Sequence, residues 1–109
     1  MELEIQAQHT ELHPRWREMI DRRVSKISEF CSEIVRLHVT LVHSAHHLRG
    51  DEEVRLLASV PHETLKVHKA MADMGDAIHA AFTALEHELH GFIDRRRDSH
   101  RRVKGNQKS

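Results

Sequence analysis

The chain has 109 residues, which is enough for one domain with one modest hydrophobic core and too few for a second core. Lys and Arg total 17, Asp and Glu also total 17, and the formal net charge is therefore 0. The charges are unevenly placed: residues 1–94 hold 10 basic against 16 acidic side chains, whereas residues 95–109 hold 7 basic side chains and 1 acidic one. We therefore expect an acidic body that carries a basic C-terminal segment.

A single cysteine, Cys31, excludes an internal disulfide and a zinc site built on several cysteines, and a buried, unreactive thiol is expected. No apolar stretch is long enough to span a bilayer, and the first residues lack the basic and apolar regions of a signal peptide. These features predict a cytoplasmic protein that does not bind membranes.

The first half of the chain alternates between strand and helix patterns. Leu3, Ile5 and Ala7 alternate with polar residues, which predicts a half-buried first strand. Pro14 suits the first turn of a helix that runs from about Pro14 to Phe30, because its missing N–H needs no partner there. That helix shows apolar residues at helical spacing, namely Trp16, Met19, Ile20, Val24, Ile27 and Phe30.

Three further strands follow the first helix. The second is predicted from the alternating residues Val35, Leu37, Val39 and Leu41, and the third from Val54, Leu56, Ala58 and Val60. Polar residues from Ser44 to Glu53 form the turn between them, and Pro61-His62-Glu63 leads tightly into a short fourth strand at Leu65 and Val67. Short connections of this kind predict an antiparallel arrangement of these three strands.

The last predicted helix reaches about Arg97. Asp73 or Asp76 suits its N-cap, because a short carboxylate there accepts hydrogen bonds from free backbone N–H groups. Its apolar stripe consists of Met74, Ile78, Phe82, Leu85, Leu89 and Phe92. Beyond Arg97 only Val103 is apolar, so residues 98–109 are expected to form a basic, disordered tail outside a domain of residues 1–97.

The predicted element order is βαβββα, an α+β fold in which both helices pack on one face of a four-stranded sheet. An antiparallel sheet commonly leaves its second face in water. Here that face is expected to carry the polar side chains of Glu4, Arg36, His38 and Thr40.

Basic side chains on the first helix and in the C-terminal segment are candidates for binding an RNA backbone, because Lys and Arg neutralise phosphates and release counterions. The same pattern also suits ion pairs on a solvated helix, since Glu18 and Asp21 stand three or four residues from several of these bases. The candidate RNA-binding residues are Arg17, Arg22, Arg23, Lys26, Arg95, Arg96, Arg97, Arg101, Arg102 and Lys104.

Twelve histidines raise the alternative of a metal-responsive protein. His87-Glu88-Leu89-His90 is not the metalloprotease motif, because its histidines stand three positions apart rather than four. Histidines without a supporting cluster of carboxylates or cysteines indicate surface residues more than a metal site. No phosphate-binding glycine loop, serine elbow or nucleophilic cysteine signature is present, so the sequence predicts no enzyme, no metal and no cofactor.

The ordered set of motifs resembles the short ribosome hibernation-promoting factors and ribosome-associated inhibitors of bacteria. The first helix matches through Trp16-Arg17-Glu18, Met19-Ile20, Arg23-Val24 and Lys26-Ile27. The strands and the last helix match through Val54, Leu56, Val60-Pro61, Leu65, Asp73-Met74, Ala77-Ile78, Leu85 and Leu89.

This resemblance implies a stress-response and stationary-phase factor that binds ribosomal RNA in the mRNA and tRNA channel of the small ribosomal subunit and blocks translation. We further expect a free protein that is monomeric and has no small-molecule substrate. Among the matching bases, the resemblance implies RNA contacts for Arg17, Arg23 and Lys26, and a structural pair with a neighbouring acid is the alternative role for Arg17. Two departures stand out: the last helix carries acidic residues and histidines where the family is basic, and His62-Glu63 replaces the usual glycine pair. A module of the same fold that binds proteins and has lost ribosome binding is therefore the alternative reading.

Overall fold

A computed structural model describes residues 1–44 and 52–107, and for residues 99–107 it describes the backbone alone. The elements follow the predicted order. They are β1 (Glu2–Gln8), α1 (Pro14–Phe30), β2 (Arg36–His43), β3 (Glu52–Val60), β4 (Glu63–Met71) and α2 (Met74–Gln107). The predicted turn from Ser44 to Glu53 is shorter than expected, because Glu52 and Glu53 belong to β3, and residues 45–51 lie outside the described part.

The four strands form one sheet in the order β1-β2-β3-β4. β1 pairs with β2 in parallel, because α1 carries the chain back across one face of the sheet between them. β2, β3 and β4 pair in an antiparallel manner, as their short connections predict. The α+β fold predicted from the sequence is therefore confirmed.

The hydrophobic core lies between the sheet and the two helices. Alternate residues of β2 and β3, from Leu37 to Val60, are buried against Ile20 and Ile27 of α1 and the apolar stripe of α2. Val35 is an exception to the predicted pattern, since its side chain is 66% exposed. Ile34, in the connection before β2, is buried in its place, so the alternation that buries β2 begins at Leu37.

One helix has the predicted bounds and the other is longer than predicted. α1 spans Pro14–Phe30 as predicted, whereas α2 continues to Gln107, beyond the predicted end near Arg97 and into the segment that was expected to be disordered. No proline follows Arg97, and Arg, Lys and Gln favour helix even where no apolar side chain packs on a core. The division into a domain of residues 1–97 and a separate tail stays a prediction.

Two local features define the ends of β4. At its C-terminal end, the Asp73 carboxylate accepts a hydrogen bond from the Asp76 backbone N–H at 3.1 Å, which makes Asp73 the N-cap of α2. At its N-terminal end, the turn after Pro61 places His62 at a φ of 71°. Glycine favours that region because it has no Cβ to clash, so His62 occupies a strained position where the resembled family has glycine.

Candidate nucleic-acid interface

The candidate bases lie on the helical layer of the protein, in two groups. One group is on α1, and the other is at the C-terminal end of α2. The two helices lie side by side, since the rings of Phe30 and His90 stack with centroids 4.5 Å apart and Arg23 of α1 contacts Glu86 of α2. The fold therefore brings the two groups onto the same side of the sheet.

Arg23 sits between the helices and is only 18% exposed, and its partner Glu86 is 16% exposed. Its Nε and Nη2 atoms both donate to Glu86 Oε1, at 3.3 and 3.1 Å. Nη2 also donates to Thr83 Oγ1, and Nη1 lies 3.0 Å from His79 Nδ1. The guanidinium carbon is 5.8 Å from the centre of the Phe82 ring, within reach of a cation–π contact. The donors of Arg23 thus hold α1 against α2.

The other predicted bases of α1 are exposed. Arg17 pairs with Asp21 at 3.2 Å, and Arg22 pairs with Glu18, both one helical turn away. Exposed pairs of this kind contribute little stability and separate readily, so both guanidinium groups remain available to a phosphate. Lys26 Nζ lies 3.8 Å from Glu86, at the edge of ion-pair distance, and its side chain is also exposed.

The exposed bases of α1 do not all share one face. At 100° per residue, Arg22 and Lys26 lie about 40° apart around the axis, and Arg15 falls between them. All three are exposed, and Lys26 among them lies 3.8 Å from Glu86 of α2. We call Arg15, Arg22 and Lys26 the α1 basic stripe. Arg17 lies about 140° from Arg22 around the helix, so it cannot contact the same short piece of RNA backbone.

The bases near the C-terminal end of α2 have acidic partners in two loops at one end of the sheet. Arg95 donates to Glu63 at 3.0 Å, where β4 begins, and Arg96 pairs with Glu33 in the connection before β2. Arg97 is exposed, and no ion pair to it is found within the part of the chain whose side chains are described. Arg101, Arg102 and Lys104 belong to α2, but their side chains lie outside that part.

The acidic partners of Arg23 and Arg96 cannot be identified from the sequence. Arg23 and Glu86 are 63 positions apart, and Arg96 and Glu33 are equally distant, so no helical spacing signals either pair. The acidic residues on α2, noted from the sequence as a departure from the resembled family, include Glu86. The structure shows that this carboxylate serves the α1–α2 contact.

Cys31 caps the C-terminal end of α1, where its N–H donates to the carbonyl of Ile27 at 2.9 Å. The side chain is buried, as the sequence predicted. Burial raises the pKa of the Cys31 thiol, against the smaller opposing effects of a backbone hydrogen bond at Ile34 and the charge of Arg96.

Neither a metal site nor a membrane-spanning helix is found among the described residues. Within residues 1–44 and 52–98, no group of three or more His, Cys, Asp and Glu side chains is arranged to hold a metal ion. Three of the twelve histidines, namely His46, His47 and His100, lie outside those ranges. No described helix combines the length and the apolar character needed to cross a bilayer.

Comparisons with known proteins agree with this fold. Residues 3–97 match the model of a family described as sigma 54 modulation protein and S30EA ribosomal protein. No curated protein sequence matches the chain.

Two solved structures share the fold at low sequence identity. A ribosomal subunit interface protein from Coxiella burnetii superposes with a TM-score of 0.76 at 19% identity, covering 86% of this chain and 99% of that one. The N-terminal domain of Protein Y from Thermus thermophilus superposes with a TM-score of 0.71 at 16% identity, covering 84% and 99%. At these identities the two structures support the fold and carry no residue roles.

Proposed function

This chain belongs to the family of sigma 54 modulation proteins and S30EA ribosomal proteins, and we propose that it binds the small ribosomal subunit in the mRNA and tRNA channel and blocks translation under stress. The family is one of ribosome-associated factors. The observation that carries the proposal is the match of residues 3–97 together with the complete βαβββα fold. Stress and stationary phase are the conditions under which we expect this activity.

The proposed contact surface is the α1 basic stripe together with Arg97 and the bases further along α2. Arg15, Arg22 and Lys26 are exposed on one side of α1 and can approach phosphates without breaking the core. Arg23 makes a different contribution, because its guanidinium already binds Glu86, Thr83 and His79. We propose that Arg23 sets the position of the α1 basic stripe relative to α2.

The proposed mechanism is steric. A domain whose two helices are joined by an ion pair and packed on a sheet is rigid enough to occupy a channel that mRNA and tRNA need. Binding then requires phosphate contacts and shape, with no chemical step. Salt should weaken it, because each phosphate contact releases counterions.

The test is co-sedimentation of the purified full-length protein with small subunits, large subunits and whole ribosomes in sucrose gradients at low and moderate salt. The variant is the double substitution Arg22→Glu and Lys26→Glu on the α1 basic stripe. The matched control is Arg36→Glu with Lys66→Glu, which changes the net charge equally on the opposite, open face of the sheet. All four side chains are exposed.

We expect stoichiometric binding to small subunits and whole ribosomes that the α1 variant loses and the control keeps. The unmodified protein and the control should inhibit cell-free translation, and the α1 variant should not. The absence of co-sedimentation at any salt concentration refutes the proposal, and it favours the alternative of a protein-binding module. That alternative draws on the pairing of Arg23, Arg95 and Arg96 with acidic residues of the same chain.

A further inference from the structure

The face of the sheet opposite the helices presents side chains in rows across the strands. The strand registers place Glu4, His38, Leu57 and Lys66 in one row. The next row contains Gln6, Thr40, Arg55 and His68. Because neighbouring strands are about 4.8 Å apart and same-face residues about 7 Å apart along a strand, the six residues on β2, β3 and β4 form a patch of about 10 by 7 Å. We call His38, Thr40, Arg55, Leu57, Lys66 and His68 the open-face patch.

The open-face patch lines a shallow, open depression of about 530 Å³. Leu57 lies within it and is 40% exposed, which gives the depression an apolar floor. Lys66 and the guanidinium of Arg55 are exposed at its β3 and β4 side. The His38 Nε2 atom is buried without a hydrogen-bond partner among the described residues, which leaves polar capacity that the fold itself does not use.

Carboxylates surround the open-face patch. Glu53 is 4% exposed and anchors Arg55 at 3.2 Å, and it also lies 3.5 Å from His68 Nε2. Glu4 is exposed at the β1 side, and Glu2 pairs with Arg36 at 3.2 Å. A polyanion crossing the whole sheet would meet all of these acids, whereas a compact anion held by Lys66 and Arg55 would lie near Glu53 alone, a carboxylate that already pairs with Arg55.

We propose that the open-face patch binds a compact organic phosphate of nucleotide size. Its phosphate would contact Lys66 and Arg55, since guanidinium and ammonium groups are the usual phosphate donors in proteins. Its planar base would lie on Leu57 between the rings of His38 and His68, with the Thr40 hydroxyl in hydrogen-bond reach of the base or ribose. The proposal does not depend on ribosome binding, because the α1 basic stripe is on the opposite side of the sheet.

The test is an NMR titration of the full-length protein with adenosine monophosphate, adenosine and inorganic phosphate as separate probes, at pH 7. We expect amide shifts at the open-face patch and a dissociation constant below about 1 mM for the monophosphate. Adenosine and inorganic phosphate should each bind at least about tenfold more weakly, because each makes only part of the contacts.

The variant is Lys66→Glu, and the matched control is Lys69→Glu on the same strand, three residues further and on the other face. Both lysines are exposed, so neither change disturbs the core, and thermal melting checks the fold. We expect Lys66→Glu to weaken monophosphate binding by about tenfold or more and Lys69→Glu to leave it within about twofold.

Three results would overturn the proposal. The first is no shift with about 5 mM monophosphate, and the second is an equal effect of the two lysine variants. The third is binding of an oligoribonucleotide to the same residues with an affinity more than about tenfold higher than that of the monophosphate. This result would identify an RNA strand as the ligand. If the protein still co-sediments with ribosomes while any of these results is obtained, the open-face proposal has failed and the proposed ribosome binding stands.

Discussion

Arg23 Nη2 lies 3.1 Å from Glu86 Oε1, and this contact joins α1 to α2 across the layer of the protein that carries the candidate RNA-binding residues. Both side chains are less than one-fifth exposed, so each charge depends mainly on the other for compensation, with the exposed Lys26 at 3.8 Å as a weaker second neighbour of Glu86. An arginine that the sequence suggests for RNA contact thus has a structural partner.

Replacing Arg23 with Ala should lower the free energy of unfolding by about 2 to 4 kcal/mol, because it removes the close partner of the partly buried Glu86 carboxylate and leaves it only the exposed Lys26 at 3.8 Å. Arg22→Ala, one position earlier on the same helix, should cost less than about 0.5 kcal/mol, since its pair with Glu18 is exposed. Urea denaturation of both variants measures the difference. Equal losses would contradict the structural role of Arg23.

His62→Gly should stabilise the protein by about 0.5 to 1 kcal/mol, because His62 holds a φ of 71° that glycine adopts without strain. The matched control is His68→Gly in β4, where an extended backbone gives glycine no advantage and stability should fall. Thermal melting compares the two. A loss of stability with His62→Gly would show that its side chain contributes more than the turn strain costs.

The Cys31 thiol should react with a disulfide reagent at pH 8 at least about a hundredfold more slowly in the native protein than in urea. Two causes act together. Burial shields the sulfur, and it also raises the pKa of the thiol, so that less thiolate is present at a given pH than for an exposed cysteine. Rapid native labelling with one equivalent would show that the end of α1 opens readily.

Truncation after Asp98 should weaken small-subunit binding and reduce the slope of log K against log salt by about 2 to 3, because it removes four Lys and Arg residues. It keeps Arg95 and Arg96, whose pairs with Glu63 and Glu33 tie α2 to the loops at one end of the sheet. A full-length variant with the four bases replaced by Gln should match the truncation. An unchanged slope in both proteins would exclude the segment as an RNA anchor.

Local sequence patterns determined most of the architecture. The alternation of Leu3, Ile5 and Ala7 identifies a strand, and the spacing of apolar residues from Trp16 to Phe30 identifies a helix. Each pattern matches the period at which that backbone returns side chains to the same face. Short connections then indicate antiparallel neighbours. The same reasoning misplaced Val35 and the end of α2, since the loop residue Ile34 takes the core position and the Arg, Lys and Gln residues beyond Arg97 favour helix by their own propensity.

The tertiary structure decided which charges are available. By itself the sequence determined the element order, the burial of Cys31, the N-cap region at Asp73 and the set of basic residues, because each follows from neighbours within a few positions. It could not distinguish Arg23 from Arg22, since the partner of Arg23 lies 63 positions away and approaches only when α1 and α2 pack on the same sheet. Ion pairing and exposure depend on distances across the folded chain, and those distances come from packing rather than from sequence spacing.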